Sequence, residues 1–148
     1  EALLIKLFTM GFTKKTAEQF FTLLKMNGVK KLIDIRLNNH SQLAGFTKGV
    51  DLKYFLKEIA DIEYEHNVDF APTKDLLKRY QSKKINWEQY ETEFSQNLQQ
   101  IMKGRNLEPL AFDLSCILCS EATPDHCHRR LVAEYLVKTL HDVRLIHL

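Results

Sequence analysis

Residues 116–130 read Cys-Ile-Leu-Cys-Ser-Glu-Ala-Thr-Pro-Asp-His-Cys-His-Arg-Arg and hold all three cysteines and two of the six histidines of the chain. Thiols, imidazoles, a carboxylate and two guanidiniums in one short segment can supply a nucleophile, an acid, a base and an anion clamp. Cys119 closes an apolar run just ahead of a helix start and basic groups, where a thiol has a depressed pKa and becomes a better nucleophile or metal ligand. The competing reading is a small core residue, the commoner fate of a free cysteine in a strand. Glu121 is placed to act as a general acid or base, or to accept backbone N–H groups or an arginine. On a wheel of about 100° per residue, the last helix has its apolar arc at Leu131, Val132, Tyr135, Leu136 and Leu140. His128 falls inside that arc, Arg129 on its far side and Arg130 outside it. His128 and Arg129 should therefore face the carboxyl edge of a sheet, where Arg129 suits a bound anion or pairs with a buried acid such as Asp34 or Glu121.

Other chemistries fit less well. A phosphate-cradling cysteine loop wants an arginine six positions on, and those positions hold Asp125 after Cys119 and Ala133 after Cys127. A metal set drawn from Cys119, Glu121, His126, Cys127 and His128 meets the objection that adjacent Cys127 and His128 on a helix do not readily aim at one ion. No metal is expected on that ground, and no cofactor is assigned. There is no glycine-rich phosphate loop, dinucleotide fingerprint, HExxH or nucleophile elbow. Asp34 and Arg36 alternate with Ile35, so they share one side of a strand, as pocket wall or as an ion pair with the Cys-His-Arg-Arg segment. The candidate catalytic residues are thus Cys119, Glu121 and His128. The candidate substrate-binding residues are Asp34, Arg36, Cys127 and Arg129, with Thr9 and Gly11 at the end of the first strand.

These groups need a scaffold that brings strand ends together. Residues 3–9 read as a first strand, with Thr13 capping a helix that stops at Gly28, and residues 29–35 as a second strand. That spacing is a βαβ unit and implies a parallel pair. Residues 37–49 are polar and irregular, and a short helix follows near 51–61. Residues 62–66 alternate as a third strand. Helices follow near 74–81 and 86–104, the second aligning Trp87, Tyr90, Phe94, Leu98 and Ile101 on one face, a stripe better explained by core than by a cofactor. Residues 110–119 are apolar on both faces and read as a central fourth strand. Thr123-Pro124 reads as the cap and first turn of the last helix, and 143–148 as a fifth strand. The class is α/β: three layers, a mostly parallel five-stranded sheet with helices on both faces. In such folds ligands bind beyond the carboxyl ends of the strands.

At 148 residues the chain suits one globular domain, residues 1–148. Its longest apolar runs are too short for a bilayer, so no membrane partner is expected. The opening Glu1-Ala2-Leu3-Leu4-Ile5-Lys6 has neither a basic leader with a long apolar stretch nor an initiator methionine and reads as a trimmed start. The odd cysteine count, with Cys116 and Cys119 on opposite faces of a strand, points to reduced thiols and a cytoplasmic protein. A net charge of +2 with only short basic pairs, such as Lys14-Lys15, leaves nucleic acid possible as a partner but not indicated. Oligomeric state is not legible.

Several of these segments together resemble a family. Residues 7–12, Leu-Phe-Thr-Met-Gly-Phe, are similar to the opening strand and turn of the domain of unknown function 488 family. Asp34-Ile35-Arg36-Leu37-Asn38 resembles its second-strand motif, and Cys119-Ser120-Glu121 with Cys127-His128-Arg129 its closing signature. Gly45-Phe46 and Ala71-Pro72-Thr73-Lys74 are similar as well. The chain departs from the family pattern at Asn38-Asn39-His40, where a proline and a basic residue are frequent, and at Asn67-Val68, where a leucine-proline pair is common. The resemblance implies the fold and the site positions but no reaction. The residues themselves point to an enzyme acting on a small anionic, nucleotide- or phosphate-like substrate at the carboxyl edge. The alternative is a non-catalytic module for a ligand or nucleic acid, in which the Cys-Glu and Cys-His-Arg segments are structural.

Overall fold

The computed structural model describes residues 4–40, 45–121 and 124–148. Five strands, β1 (Ile5–Gly11), β2 (Lys31–Asp34), β3 (Glu63–His66), β4 (Ser115–Cys119) and β5 (Val143–His147), alternate with α1 (Ala17–Met26), α2 (Gly49–Ala60), α3 (Lys74–Gln81), α4 (Trp87–Met102) and α5 (His128–Leu140). The sheet is parallel throughout, in the order β3-β2-β4-β1-β5.

Alternation along the strands sorts apolar side chains between two cores. Leu7, Ile33, Ile117 and Cys119 turn toward α3, α4 and α5, where Leu76, Tyr90, Phe94, Val132 and Leu136 meet them. Phe8, Met10, Leu32, Cys116 and Leu118 turn the other way, onto Phe20, Phe21 and Leu24 of α1 and Leu52 and Leu56 of α2. Helices thus cover both faces, and every residue of β4, the middle strand, is buried.

Three expectations are corrected. β1 and β2 are parallel but not paired, because β4 lies between them. The βαβ spacing sets the direction of the strands but not which strand is a neighbour. The fourth strand begins at Ser115, since Pro109–Phe112 forms a 3-10 turn in which the proline cannot donate to a ladder. The first and last helices start later than their apparent caps. Thr16 rather than Thr13 caps α1, in a reciprocal capping box with Gln19, and α5 is preceded by Cys127 as its N-cap. Of the expected Thr123-Pro124 start, Thr123 lies outside the described residues, as do residue 3 of the first strand and residues 41–44 of the polar connection.

The chain leaves β1 and β2 through helices on one face and leaves β4 through α5 on the other. Adjacent strands whose connections part to opposite faces open a crevice at their carboxyl ends. The crevice lies beside Cys119, at the end of β4.

Candidate functional site

Two buried arginines, one on each side of β4, frame this edge. After β2 the chain turns at Ile35 and Arg36. The Arg36 Nε and Nη2 donate to the two oxygens of Asp34 at 2.9 and 2.7 Å, and its backbone N–H donates to Oδ1 at 3.1 Å. Nη2 also donates to the Thr47 carbonyl at 2.6 Å, and the guanidinium carbon sits 5.2 Å from the centre of the Phe12 ring. Tyr64 Oη donates to Asp34 Oδ2 at 2.6 Å and accepts from Asn39 Nδ2 at 3.0 Å. Burial, then the bond to Asp34, pushes the Tyr64 phenol up to about 12. Asp34 is fully buried and Arg36 only 4% exposed, yet Arg36 Nη1 is buried with no hydrogen-bond partner among the described residues. So Asp34 and Arg36 pair with each other rather than with the segment at the start of α5.

Arg129, fully buried on α5, donates from Nη1 to the Glu121 carbonyl, approaches Cys119 Sγ at 3.5 Å and reaches Thr9 Oγ1 from Nε at 3.3 Å. Burial lowers its pKa. Among the described residues it holds the Glu121 backbone rather than the carboxylate of Asp34 or Glu121. Gly11 makes room for that contact: an added Cβ would lie 1.5 Å from the Glu121 carbonyl oxygen and 2.8 Å from Arg129 Nη1. Thr9 is further occupied by His147 Nδ1 at 2.5 Å. Thr9, Gly11, Asp34 and Arg129 thus stand behind the crevice and shape it, whereas Arg36, Cys119, Glu121, Cys127 and His128 line it.

The two thiols and the imidazole converge. Cys127 sits just outside the helix in an extended conformation (φ −136°, ψ 137°), so its side chain leaves the helical wheel on which His128 begins. That corrects the objection that adjacent Cys127 and His128 diverge. One ligand atom each from Cys119, Cys127 and His128 lies within 4.8 Å of the others. The Sγ atoms of Cys119 and Cys127 are in bonding contact across a Cα separation of 7.7 Å, which corrects the expectation of two free thiols. Relaxed disulfides span roughly 4.4–6.8 Å between Cα atoms. The 7.7 Å separation lies beyond that span, and the two sulfurs converge across it. His128 Nε2 lies 2.8 Å from the Ile35 carbonyl, so it is the protonated ring nitrogen. Burial, with Arg129 adding to it, pushes His128 down to about 4, against the pull of the Ile35 carbonyl. Cys116, on the opposite face, is buried and its thiol is pushed up.

The remaining wall is aromatic. His126 stacks on Trp87 at 5.1 Å between centres, Trp87 stacks on Tyr90 at 5.1 Å, and Tyr80 leans on Tyr90 at 4.9 Å. With Asn38 and Ser120 these enclose a cavity of about 290 Å³. The expected core role of Trp87 and Tyr90 holds, with Tyr90 buried in the core and Trp87 packed against it; what their ordinary apolar spacing does not reveal is that both also edge the cavity. The available signal was a tryptophan at the first residue of a helix, exposed on one side to whatever follows the fourth strand.

Fold and site together define an all-parallel α/β protein with a small polar and aromatic pocket at the carboxyl end of its middle strand. The family model described as "Domain of unknown function DUF488" matches residues 16–136, and the chain belongs to that family. No curated protein and no solved structure matches the chain. Among the described residues no helix is long and apolar enough to cross a membrane.

Proposed function

We propose that this pocket is the active site of an enzyme acting on a small substrate that carries both an anionic group and a flat ring, as a nucleotide does. The observation that carries the reading is Arg36: a buried guanidinium at the pocket wall, fixed through Nε and Nη2 by Asp34, with Nη1 unpartnered among the described residues. A buried charged donor left unsatisfied costs on the order of 1–3 kcal/mol or more, and an anionic ligand removes that cost. The stacked His126, Trp87 and Tyr90 offer a ring the apolar surface it needs. Arg36 then serves as anion clamp, and Cys119, Glu121 and His128 are the groups at hand for bond making and proton transfer. His128, neutral over the ordinary pH range, serves there as donor or acceptor rather than as a cation.

The test is calorimetric titration with inorganic phosphate, a nucleoside and the matching nucleoside monophosphate, followed by mass-spectrometric analysis of the incubated ligand. The monophosphate should bind at least tenfold more tightly than either fragment. Trp87→Ala should lose about tenfold, in line with the 1–3 kcal/mol of a base stacked on an aromatic ring. Glu121→Gln should keep affinity within a few-fold and abolish turnover. Absence of binding by all three probes overturns the reading, and binding without conversion makes the protein the ligand-binding module of the alternative reading.

A further inference from the structure

We infer that Cys119, Cys127 and His128 form a three-ligand site for a zinc-class divalent ion at the base of the pocket, its fourth position open to the cavity. The inference does not depend on the substrate being anionic, and it makes Cys119 and His128 ligands of the ion in place of the nucleophile and proton carrier named above, leaving Glu121 for proton transfer.

The donor set is the first ground. Two thiolates and one imidazole are ligands for zinc and its neighbours, not for magnesium or calcium, which take oxygen. Convergence is the second: one ligand atom from each residue falls within 4.8 Å of the others. A tetrahedral ion with Zn–S bonds of about 2.3 Å holds its ligand atoms roughly 3.5 Å apart, so once a thiol reductant has supplied two electrons to the Cys119–Cys127 bond, small side-chain rotations complete the site. The 7.7 Å between the Cα atoms of Cys119 and Cys127 is wider than a relaxed disulfide spans. It is easily covered by two side chains that meet at an ion between their sulfurs.

The surroundings supply the rest. A ligating histidine usually donates its second ring nitrogen to a carbonyl or carboxylate, which fixes tautomer and ring direction. His128 Nε2 does this with the Ile35 carbonyl at 2.8 Å, which leaves Nδ1 with its lone pair free for an ion. Phe94 packs edge-on against the same ring at 5.6 Å and restricts its swing. Arg129 Nη1, 3.5 Å from Cys119 Sγ, favours the thiolate that binding requires. Cys127, although the N-cap of α5, makes no side-chain cap hydrogen bond, so once the contact with Cys119 is reduced its sulfur has no competing role in the helix. All three ligands line the cavity. Three protein ligands with an open position are the arrangement of catalytic rather than structural zinc, and the open position takes water or a substrate atom.

The test is cobalt(II) titration of the reduced protein, free of phosphate and nucleotide, followed by displacement with zinc. One equivalent should give the intense visible bands of a tetrahedral centre and a sulfur-to-cobalt charge-transfer band of two thiolates, and zinc should erase both. Cys119→Ala and Cys127→Ala should each halve the charge-transfer band and weaken binding at least a hundredfold. Cys116→Ala should change neither. Circular dichroism verifies that the variants remain folded, and Cys127→Ala removes no helix cap. A reduced protein that takes up no cobalt, a weak octahedral spectrum, or a band unchanged in folded Cys127→Ala overturns the inference. Each of these results leaves the phosphate and nucleotide titrations untouched, so the two readings fail separately.

Discussion

Replacing Asp34 with asparagine preserves the side chain's shape and removes its charge, and the surroundings determine the cost. The carboxylate accepts four hydrogen bonds, from the Arg36 backbone N–H (3.1 Å), Nε (2.9 Å), Nη2 (2.7 Å) and Tyr64 Oη (2.6 Å). The pair is almost wholly withdrawn from water. In Asp34→Asn the guanidinium keeps its charge and loses its counter-ion, and the amide nitrogen turns a donor toward donors. Breaking a buried pair from one side costs about 3–5 kcal/mol, and for a chain of this size each kcal/mol lowers Tm by roughly 2–4 °C. The expected loss of Tm is therefore on the order of 10 °C. A thermal melt followed by circular dichroism measures it, and urea denaturation gives the matching free-energy loss, with an unchanged slope showing that the native state stays compact. Removing both charges, in Asp34→Leu with Arg36→Met, should cost less than the sum of the single substitutions, because no charge is left stranded. A loss below about 1 kcal/mol for Asp34→Asn, or strict additivity in the double variant, refutes the claim that this pair holds the pocket's guanidinium in place.

Gly11→Ala should cost about 3 kcal/mol or more, read as a drop in Tm, because the new methyl group falls on the Glu121 carbonyl and the Arg129 guanidinium. Tyr64 sets an alkaline limit. The unfolded phenol releases its proton near pH ~10, about two units before the folded one, which is held up to about 12. The contribution is complete below pH ~10 and is lost as pH rises toward ~12, and Tyr64→Phe should shallow the alkaline slope of a pH series of melts without abolishing it, since burial holds up the Tyr90 phenol and the Cys116 thiol as well. Arg130, paired on the surface with Glu91 and Glu134, should give a change within about 1 kcal/mol as Arg130→Ala in the same denaturation assay. In the reduced protein, alkylation followed by mass spectrometry should label Cys119 and Cys127, at the pocket, well ahead of Cys116, whose thiol is buried and pushed up.

The placing of the candidate residues at one edge was legible because they lie at strand ends and helix starts, where periodicity and caps carry information. Arg36, Cys119 and Glu121 follow apolar runs whose burial needs no partner to be identified, and a parallel sheet brings such ends to one edge. Strand order was not legible in the same way. The β1–α1–β2 spacing is satisfied equally by neighbours and by strands with one between them, and β1, β2 and β4 are all largely buried on both faces, so burial alone does not say which of them takes the middle. The aromatic wall was hidden for a related reason. Trp87, Tyr90 and Phe94 follow helical spacing whether they face a core or a cavity, and only the packing of α3 and α5 against α4 leaves Trp87 beside His126 at the opening while Phe94 remains inside.

The convergence of Cys127 with His128 shows most directly what a helical wheel leaves out. A wheel assigns directions only to residues with helical dihedrals, and neighbours on it diverge by about 100°. Cys127 is the residue just before the first turn, with extended dihedrals, so its side chain obeys the strand-like geometry of the incoming loop. The same step explains why the helix begins at His128 rather than at the Thr123-Pro124 pair. With Cys127 extended, its sulfur meets that of Cys119 while His128 enters α5 and bonds the Ile35 carbonyl. A start four residues earlier would place both side chains on the wheel and separate them. The boundary of α5 is thus itself part of the candidate site: it decides whether two sulfurs and a ring nitrogen come within 4.8 Å of one another, and what the pocket can bind follows from that.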